Sequence, residues 1–540
     1  MTILHLNRER NLEALKSRLF DVLVVGGGIN GAVSAASLAA KGARVALVDK
    51  GDFASFTSQE SSSLVWGGIK YMENFEFGLV ANLCKSRNEL LSRYPDSVKE
   101  IRFFCPHEKA NRHSLLKLFA GTWLYWTLGR GGTRKPKKMS VARVKSEEPV
   151  VRVDTIDGGF EYSDAILADA DARFVFGFVK WAQKHGAVLA NYMSAHSFVR
   201  DADGHWLIGL KDQVTGNELP LRAKVLVNAT GPYLDAVNDA NHLKTRTRHI
   251  FSKGIHILVK RITEQKRVLT FMADDGRMFF VLPMGDVSCI GTTDTRVDKI
   301  PAVVTPEDRH YVLQQINKRL NLPVSLTEAD IIAERCGVRP LAIEPRDSGK
   351  DGKDFLALSR KHVIEFKKEE KFICIFGGKL TDCVNVGEEV ADFVEHTGVD
   401  LPRPGTEWFG EPPASQRREF FIQAEKLKLE ALAPADCPEA ITPRLWRYYG
   451  EGAFAILEAV KHDRAGQGAY LHVGMGLIRA EVAYARDHDM IVTLDDFLRR
   501  RTLTALIRTR ESLKNNPDVR TVCQILFGEA AEEKWQAYFG

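Results

Sequence analysis

The chain has 540 residues, of which 44% are hydrophobic and 27% are charged, and its formal net charge is +5. A chain of this length is too long to fold around a single hydrophobic core, and it predicts roughly two to four domains in a globular protein. The small net charge and the absence of any biased tract exclude a general nucleic-acid-binding protein.

The chain begins with a polar and charged segment, residues 1–20. This segment has neither the apolar centre of a signal peptide nor the arginine- and serine-rich composition of a transit peptide. No stretch of the sequence reaches the roughly eighteen apolar residues of a membrane-spanning helix. We therefore expect a cytoplasmic protein.

The next segment follows the order strand, tight turn, helix, strand. Residues 21–25 and 44–49 are short apolar runs, and residues 29–41 between them are rich in alanine with helical spacing. This order predicts a βαβ unit, in which the two strands lie parallel in one sheet.

The turn of this unit carries the pattern GxGxxG at Gly26, Gly28 and Gly31. Gly26 allows the tight turn, Gly28 lets backbone N–H groups approach a pyrophosphate, and Gly31 lets the helix pack closely on the strand. Asp49 ends the second strand, where it can accept hydrogen bonds from ribose hydroxyls and would repel the 2′-phosphate of NADP. The pattern therefore predicts a dinucleotide site.

Two features favour FAD over NAD as that dinucleotide. The motif lies close to the start of a long chain, and residues 228–231 (Asn-Ala-Thr-Gly) follow an apolar run much later in the sequence. Flavoproteins whose chain returns to the cofactor domain have this arrangement. The alternative interpretation of residues 228–231 is an ordinary strand end with a turn.

Residues 250–335 differ from the opening unit because they are rich in short strand patterns. Residues 277–282 and 287–292 flank Pro-Met-Gly-Asp and predict a hairpin. Residues 371–376 predict one more strand, which ends at two glycines.

Two proline clusters in residues 401–415 predict a linker, and the remaining residues 416–540 read as helical. Thr442 is predicted to cap the start of one helix and Gly450 to end it. The eight cysteines form no CxxC pair, so we expect free thiols and neither a zinc site nor any other metal site.

Several motifs, in order and with matching spacing, resemble the FAD-dependent glycerol-3-phosphate dehydrogenases of the aerobic respiratory type. The resemblance covers nearly the whole chain and includes a C-terminal helical region at 480–498. The motifs are the segments 25–31, 67–71, 160–164, 228–232, 253–256, 291–294, 337–341 and 376–381.

The resemblance implies an α/β fold class: a doubly wound FAD-binding domain with an antiparallel-sheet substrate domain and a C-terminal all-helical domain. It places the oxidoreductase region at residues 1–400 and the substrate sheet at about 246–334. The FAD-binding segments would be about 18–100, 150–245 and 335–400.

The resemblance also implies the reaction. Hydride transfer to flavin N5 would oxidise sn-glycerol 3-phosphate to dihydroxyacetone phosphate, and a membrane quinone would take the electrons. The chain shows neither the transit peptide nor the calcium-binding loops of the mitochondrial branch, so it resembles the bacterial form. Whether it forms a homodimer stays open.

The site residues follow from the same motifs. The resemblance implies catalytic roles for His256, Arg339 and Lys379. Surface ion pairs for the cations and an ordinary core position for His256 are the alternative interpretations. The substrate would bind Lys70, Tyr71, Arg339 and Arg360. The FAD contacts would be Gly26, Gly28, Gly31, Asp49, Ser61, Ser62, Gly67, Thr230, Gly231, Gly378, Lys379, Leu380 and Thr381.

The chain departs from the family pattern in the loops expected to contact flavin and substrate. Ser63, Trp66 and Lys70 stand where the family usually has lysine, histidine and arginine, and residues 382–384 lack the usual Thr-Tyr-Arg. These departures leave three alternatives open. The chain could act on another polyol phosphate, such as erythritol phosphate, it could be an oxygen-using oxidase, or it could be a flavin-binding subunit without catalysis.

An apolar segment followed by a basic one predicts peripheral contact with the inner surface of the cytoplasmic membrane. The apolar segment is 115–128, which contains two tryptophans. An ordinary buried helix with a solvated basic loop is the alternative. The basic residues are Arg130, Arg134, Lys135, Lys137, Lys138, Arg143 and Lys145.

Overall fold

The computed structural model describes residues 3–344 and 361–540 of the chain. The chain separates into two compact units, one comprising Leu15–Phe409 and the other Met1–Ala14 with Gly410–Gly540. The division at Gly410 falls inside the predicted linker. The grouping of the first residues with the C-terminal unit was not predicted.

The strands and helices are numbered in chain order. The strands are β1 (Leu19–Val25), β2 (Val45–Val48), β3 (Leu64–Val65), β4 (Val98–Glu108), β5 (Lys137–Met139), β6 (Ile156–Leu167), β7 (Val188–Ala190), β8 (Met193–Arg200), β9 (Trp206–Asp212), β10 (Glu218–Asn228), β11 (Arg248–Lys260), β12 (Val268–Met272), β13 (Met278–Met284), β14 (Val287–Gly291), β15 (Thr295–Val297), β16 (Ala333–Ile343), β17 (Val363–Lys367), β18 (Phe372–Phe376), β19 (Tyr470–Leu471) and β20 (Leu477–Ile478). The α-helices are α1 (Ile3–Ser17), α2 (Ile29–Ala40), α3 (Phe77–Arg93), α4 (Leu115–Leu128), α5 (Val141–Glu147), α6 (Asp171–Lys184), α7 (Leu234–Ala240), α8 (Pro306–Arg319), α9 (Cys383–Glu395), α10 (Ala414–Lys426), α11 (Ile441–Tyr449), α12 (Ala453–His462), α13 (Arg479–His488), α14 (Thr504–Ile507), α15 (Arg510–Lys514), α16 (Pro517–Phe527) and α17 (Ala531–Phe539).

The first sheet is the predicted doubly wound sheet. Its central strands run in the order β18-β10-β1-β2-β7 and pair in parallel. β17 and β9 add antiparallel strands on β18 and β10. Because β2 and β18 are fully buried, their sequences read as continuous apolar runs, as in most parallel sheets. Helix α2 packs against α6 and α9. The βαβ prediction is confirmed.

The second sheet has the order β15-β11-β14-β13-β12-β4-β6-β3, with β16 added on β11 and β5 on β6. All of its pairs are antiparallel except β12 with β4. The predicted hairpin is confirmed as β13 and β14. The sheet also takes β3, β4, β5, β6 and most of β16 from outside residues 246–334, because strand pairing joins distant segments that local sequence patterns do not connect.

The C-terminal unit is helical from α10 to α17, apart from the small hairpin of β19 and β20. Phe420, Leu445 and Trp446 are among the side chains of its core. The end of α11 at Gly450, which has φ of +52°, is confirmed, but the predicted cap at Thr442 is wrong. Glu430 accepts the backbone N–H groups of Ile441 and Thr442 and so takes the capping role. Among the described residues, no helix has both the length and the apolar character needed to cross a membrane.

Candidate active site

One cavity of about 300 Å³, here the first cavity, lies where the two sheets of the larger unit meet. Four parts of the chain form its wall: the start of α2, the serine-rich loop at 57–62, one face of the second sheet and the turn after β18. The lining residues are Ile29, Thr57, Ser58, Glu60, Ser61, Ser62, Leu64, Trp66, Tyr71, Val175, Gly254, Phe280, Thr292, Gly337, Arg339, Pro340, Leu341, Ala342, Lys361, Gly377, Gly378, Lys379, Leu380 and Thr381.

The glycine turn before α2 has the geometry that a dinucleotide needs. Gly26 has φ of +103°, and a Cβ on Gly31 would lie 1.7 Å from the Gly26 carbonyl oxygen. No side chain other than hydrogen therefore fits at Gly31. Gly28 precedes the first residue of α2, where the helix dipole favours a phosphate. The N–H group of Ile29 at this end donates to Ser58 Oγ at 3.0 Å.

Asp49 is buried at the end of β2, as the ribose-binding hypothesis requires. Its carboxylate accepts the N–H groups of Gly27 at 2.6 Å and Gly51 at 2.9 Å. Burial raises the pKa of Asp49 to about 6, although these two hydrogen bonds oppose the shift. A further hydroxyl donor would offset the desolvation of this carboxylate, which fits a ribose.

Asn30 joins the start of α2 to the turn after β18. Its Nδ2 group donates to the carbonyl of Gly377 at 2.8 Å, and its buried Oδ1 atom accepts no hydrogen bond from the described residues. Gly378 beside it has φ of +105°. A buried acceptor without a donor at this place fits a cofactor that spans from α2 to Gly378.

Arg339 lies on β16 and reaches the first cavity by crossing the backbone of β11. Its Nη2 group donates to Thr292 Oγ1 at 2.7 Å, and Nη1 donates to the Thr293 carbonyl at 3.2 Å. A Cβ on Gly254 would lie 2.1 Å from Nη2. Position 254 must therefore be glycine for the Arg339 side chain to pass over the strand. Local sequence patterns do not reveal this requirement.

His256 is buried on β11 behind the wall of the first cavity, and it is not one of the lining residues. Its Nε2 atom lies 3.2 Å from Oγ of Ser62, which does line the cavity. Burial lowers the pKa of His256 well below its usual value, and the charges of Arg335 and Arg339 lower it further. The imidazole is therefore neutral at pH 7.

Lys379 and three aromatic side chains form one side of the first cavity. The Lys379 ammonium lies 3.7 Å from the ring centroid of Tyr71. Trp66 lies 5.9 Å from Tyr71 and 6.4 Å from Phe280, measured between ring centroids. Trp66, which departs from the family pattern, thus contributes directly to the shape of the cavity.

The serine-rich loop is held by a buried ion pair that the sequence analysis missed. Arg335 Nη2 and Asp171 Oδ1 lie 2.6 Å apart, and both side chains are buried. The backbone N–H of Ser61 donates to Asp171 at 2.8 Å, and Arg335 donates to Ser63 Oγ at 3.4 Å. A charged residue inside a strand pattern at 335 was the available signal for this pair.

The other residues expected at the site are placed as follows. Lys70 lines a different cavity of about 410 Å³, here the second cavity, beside α4. Thr230 and Gly231 follow β10 and do not line the first cavity. Gly67 donates its backbone N–H to Asp164. Arg360 lies outside the described residues.

The comparisons with known proteins agree with this geometry. Residues 21–377 match the family described as FAD dependent oxidoreductase, and residues 404–534 match the C-terminal domain of alpha-glycerophosphate oxidase. The first match spans more than half of the chain. The protein is therefore an FAD-dependent oxidoreductase, and FAD is its cofactor.

The relatives narrow the assignment. The chain is 31% identical to the aerobic glycerol-3-phosphate dehydrogenase of Bacillus subtilis, over 92% of this chain and 89% of that protein. It is 28% identical to the enzyme of the same name from Staphylococcus saprophyticus, over 100% and 96%. The chain belongs to the aerobic glycerol-3-phosphate dehydrogenase family.

Two solved structures share the fold. The glycerol-3-phosphate dehydrogenase of Bacillus halodurans complexed with FAD superimposes with a TM-score of 0.75 at 25% identity, covering 99% of this chain and 95% of that one. The L-alpha-glycerophosphate oxidase of Mycoplasma pneumoniae with FAD bound gives 0.55 at 18% identity, covering 73% and 99%. The second likeness concerns the fold alone.

Proposed function

We propose that this protein oxidises sn-glycerol 3-phosphate to dihydroxyacetone phosphate and passes the electrons to a membrane quinone. The observation that carries this proposal is that two cations, Arg339 and Lys379, line the same cavity as Ile29, which directly follows the glycine turn. FAD, when bound, supplies the hydride acceptor at its N5 atom.

The chain's own cations bind and orient the substrate. The planar guanidinium of Arg339 matches two oxygens of a phosphate, and its bonds to Thr292 and Thr293 hold it in place before the substrate arrives. Lys379, which also lines the first cavity, adds a second positive charge. Together they fix the end of the substrate and so the direction of its reacting carbon–hydrogen bond.

The hydroxyl proton of the substrate leaves through Ser62 to His256. Ser62 Oγ takes that proton while its own proton moves to His256 Nε2, 3.2 Å away. The charge of Arg339 helps to keep His256 a weak base, and a phosphate dianion at Arg339 offsets that charge. Binding of the substrate therefore raises the basicity of His256 when a base is needed.

The quinone would enter the second cavity. Aromatic, methionine and basic side chains are among those that line it: Phe75, Phe77, Phe160, Met272, Met278, Arg112, His113 and Lys117. Helix α4 beside it exposes 66% of Leu116 and 45% of Leu124. Apolar side chains next to exposed lysines suit the surface of an anionic membrane. These lysines are Lys135, Lys137 and Lys138.

Anaerobic bleaching of the flavin tests the substrate. Rapid bleaching by sn-glycerol 3-phosphate supports the proposal. Bleaching only by erythritol phosphate or another polyol phosphate would mean that Trp66 has changed the specificity, since it forms part of the cavity wall. FAD binding without bleaching by any polyol phosphate would indicate a non-catalytic subunit.

The electron acceptor needs a separate test, because the C-terminal family takes its description from an oxidase. The reduced holoenzyme is mixed anaerobically with a soluble quinone analogue, or with oxygen. Fast reoxidation by the quinone and slow reoxidation by oxygen supports a dehydrogenase. The reverse order, with stoichiometric peroxide, would make the protein an oxidase.

A further inference from the structure

A buried carboxylate, Asp164 on β6, lies behind the turn that carries Trp66. It accepts three hydrogen bonds: from the backbone N–H of Gly67 at 3.1 Å, from the Tyr125 hydroxyl at 2.6 Å and from Arg87 Nη1 at 3.0 Å. Asp164, Arg87 and Tyr125 are all buried. Such a network fixes its members because a lost partner would leave a buried charge or hydroxyl unsatisfied.

The network fixes the position of Trp66. A Cβ on Gly67 would lie 2.2 Å from the Tyr125 hydroxyl oxygen, so the turn lies directly against this hydroxyl. The Trp66 carbonyl accepts the hydroxyl of Thr381 at 3.2 Å. Trp66 and Thr381 both line the first cavity. A shift of Gly67 therefore moves two parts of the cavity wall.

Helix α3 links the network to the turn after β18 by a second route. Ser86, next to Arg87, accepts a hydrogen bond from Asn385 Nδ2 at 3.1 Å. The same amide group donates at 2.6 Å to Oδ1 of Asp382, the residue that directly follows Thr381. Helix α3 therefore contacts both the network behind Gly67 and the polar group that follows Thr381.

We infer that Asp164, Arg87 and Tyr125 are positioning residues for the oxidation at the first cavity. They hold the N–H of Gly67, and through it Trp66 and Thr381, at the place where the substrate contacts the wall. None of the three lines the first cavity, so they act through the turn. The kinetic part of this inference rests on the proposed function, whereas the contacts do not.

The test compares two tyrosine-to-phenylalanine variants of the holoenzyme. Tyr125→Phe removes the bond to Asp164, and Tyr448→Phe removes a buried hydroxyl that contacts Met475 in the C-terminal unit. We expect faster amide hydrogen exchange in residues 64–71 for Tyr125→Phe only. We also expect flavin reduction at saturating substrate to slow by about 5- to 50-fold, with KM changed much less.

The outcomes separate the inference from the proposed function. Wild-type exchange and wild-type flavin reduction in Tyr125→Phe would overturn the inference, as would equal changes in Tyr448→Phe. If no polyol phosphate bleaches the wild-type flavin, the proposed function fails. The amide hydrogen exchange in residues 64–71 still tests whether the network holds the turn at Gly67. If Tyr125→Phe loses FAD, Arg87→Lys, which keeps the charge beside Asp164, takes its place under the same criteria.

Discussion

Arg339 is the residue whose removal should change substrate binding most. Because hydrogen bonds to charged groups contribute about 1.5–3 kcal/mol, we expect Arg339→Ala to raise the KM for the polyol phosphate by about 10- to 100-fold. Arg339→Lys keeps the charge but loses the two-point geometry, so its KM should be intermediate. Steady-state rates with an artificial electron acceptor measure both variants.

The matched control is Arg296→Ala on β15 of the same sheet. Its side chain is 43% exposed, lies 3.9 Å from Asp298 and does not line the first cavity. We expect this variant to keep the KM of the wild type. A KM for Arg339→Ala that equals the wild-type value would remove Arg339 from the binding site.

His362 should make the stability of the protein depend on alkaline pH. Burial disfavours its charged form, but hydrogen bonds from the ring to Asp382 at 2.8 Å and Glu389 at 3.1 Å prevail and raise the pKa of His362 to about 9. An unfolded histidine has a pKa of about 6.5. Its contribution is therefore complete below pH of about 6.5 and is lost as the pH rises through about 9.

Melting temperatures between pH 6 and 10 measure this effect. We expect the wild type to lose more stability across this range than His362→Gln, whose profile should be flatter. His196→Gln, which alters a half-exposed histidine 4.0 Å from Glu218, should retain the wild-type slope. Parallel profiles for the wild type and His362→Gln would contradict the role of this ion pair.

At the scale of elements, the closeness of α2 and β1 depends on Gly31. A methyl group there would lie 1.7 Å from a backbone oxygen, so the start of α2 must move away from the strand. We expect Gly31→Ala to lose FAD on purification, as measured by the ratio of flavin to protein absorbance. Gly78→Ala in α3, where a Cβ would meet nothing within 4 Å, should keep its flavin.

The segment after α4 should determine attachment to membranes. Lys135, Lys137 and Lys138 are exposed, and we expect their replacement by glutamate to move the protein to the soluble fraction, since each lysine near an anionic surface contributes about 1 kcal/mol. The control makes the same charge change at three exposed lysines elsewhere: Lys244, Lys266 and Lys299. Unchanged sedimentation of the first variant with membranes would refute this interpretation.

At the scale of the whole molecule, FAD should stabilise one unit more than the other. The glycine turn, Asp49 and the first cavity all belong to the unit Leu15–Phe409. Free FAD at about 100 times its Kd would add about 2.7 kcal/mol to that unit. Calorimetry of the holoprotein and apoprotein should show the transition of this unit shifting. Identical thermograms would argue against a buried FAD site.

Local patterns were sufficient for the parts of the molecule that depend on neighbouring residues. GxGxxG, Asp49 and the hairpin of β13 and β14 lie within short segments whose periodicity reflects their burial. The cap at Thr442 failed because Glu430, which precedes it in a separate helical turn, supplies the acceptor. Glu430 lies more than ten residues before the helix, so a pattern of neighbouring residues does not include it.

The site depends on contacts that no local pattern contains. His256 and Ser62 are 194 positions apart in the sequence, and Arg335 and Asp171 are 164 apart. The family motifs nominated His256 and Ser62 but neither Arg335 nor Asp171, because the direction of a side chain is a property of the packed sheet. Lys70 shows this, since it lines the second cavity although its neighbour Tyr71 lines the first.

That division within one short 3-10 helix, Ile69–Asn74, has a kinetic consequence. With the quinone in the second cavity, as proposed, it does not compete for space with the polyol phosphate in the first cavity, so it can bind while the oxidised polyol is still present. The electron donor and the electron acceptor then need not bind one after the other at the same site. A tight-binding occupant of the second chamber would then lower turnover without displacing the polyol phosphate from the first.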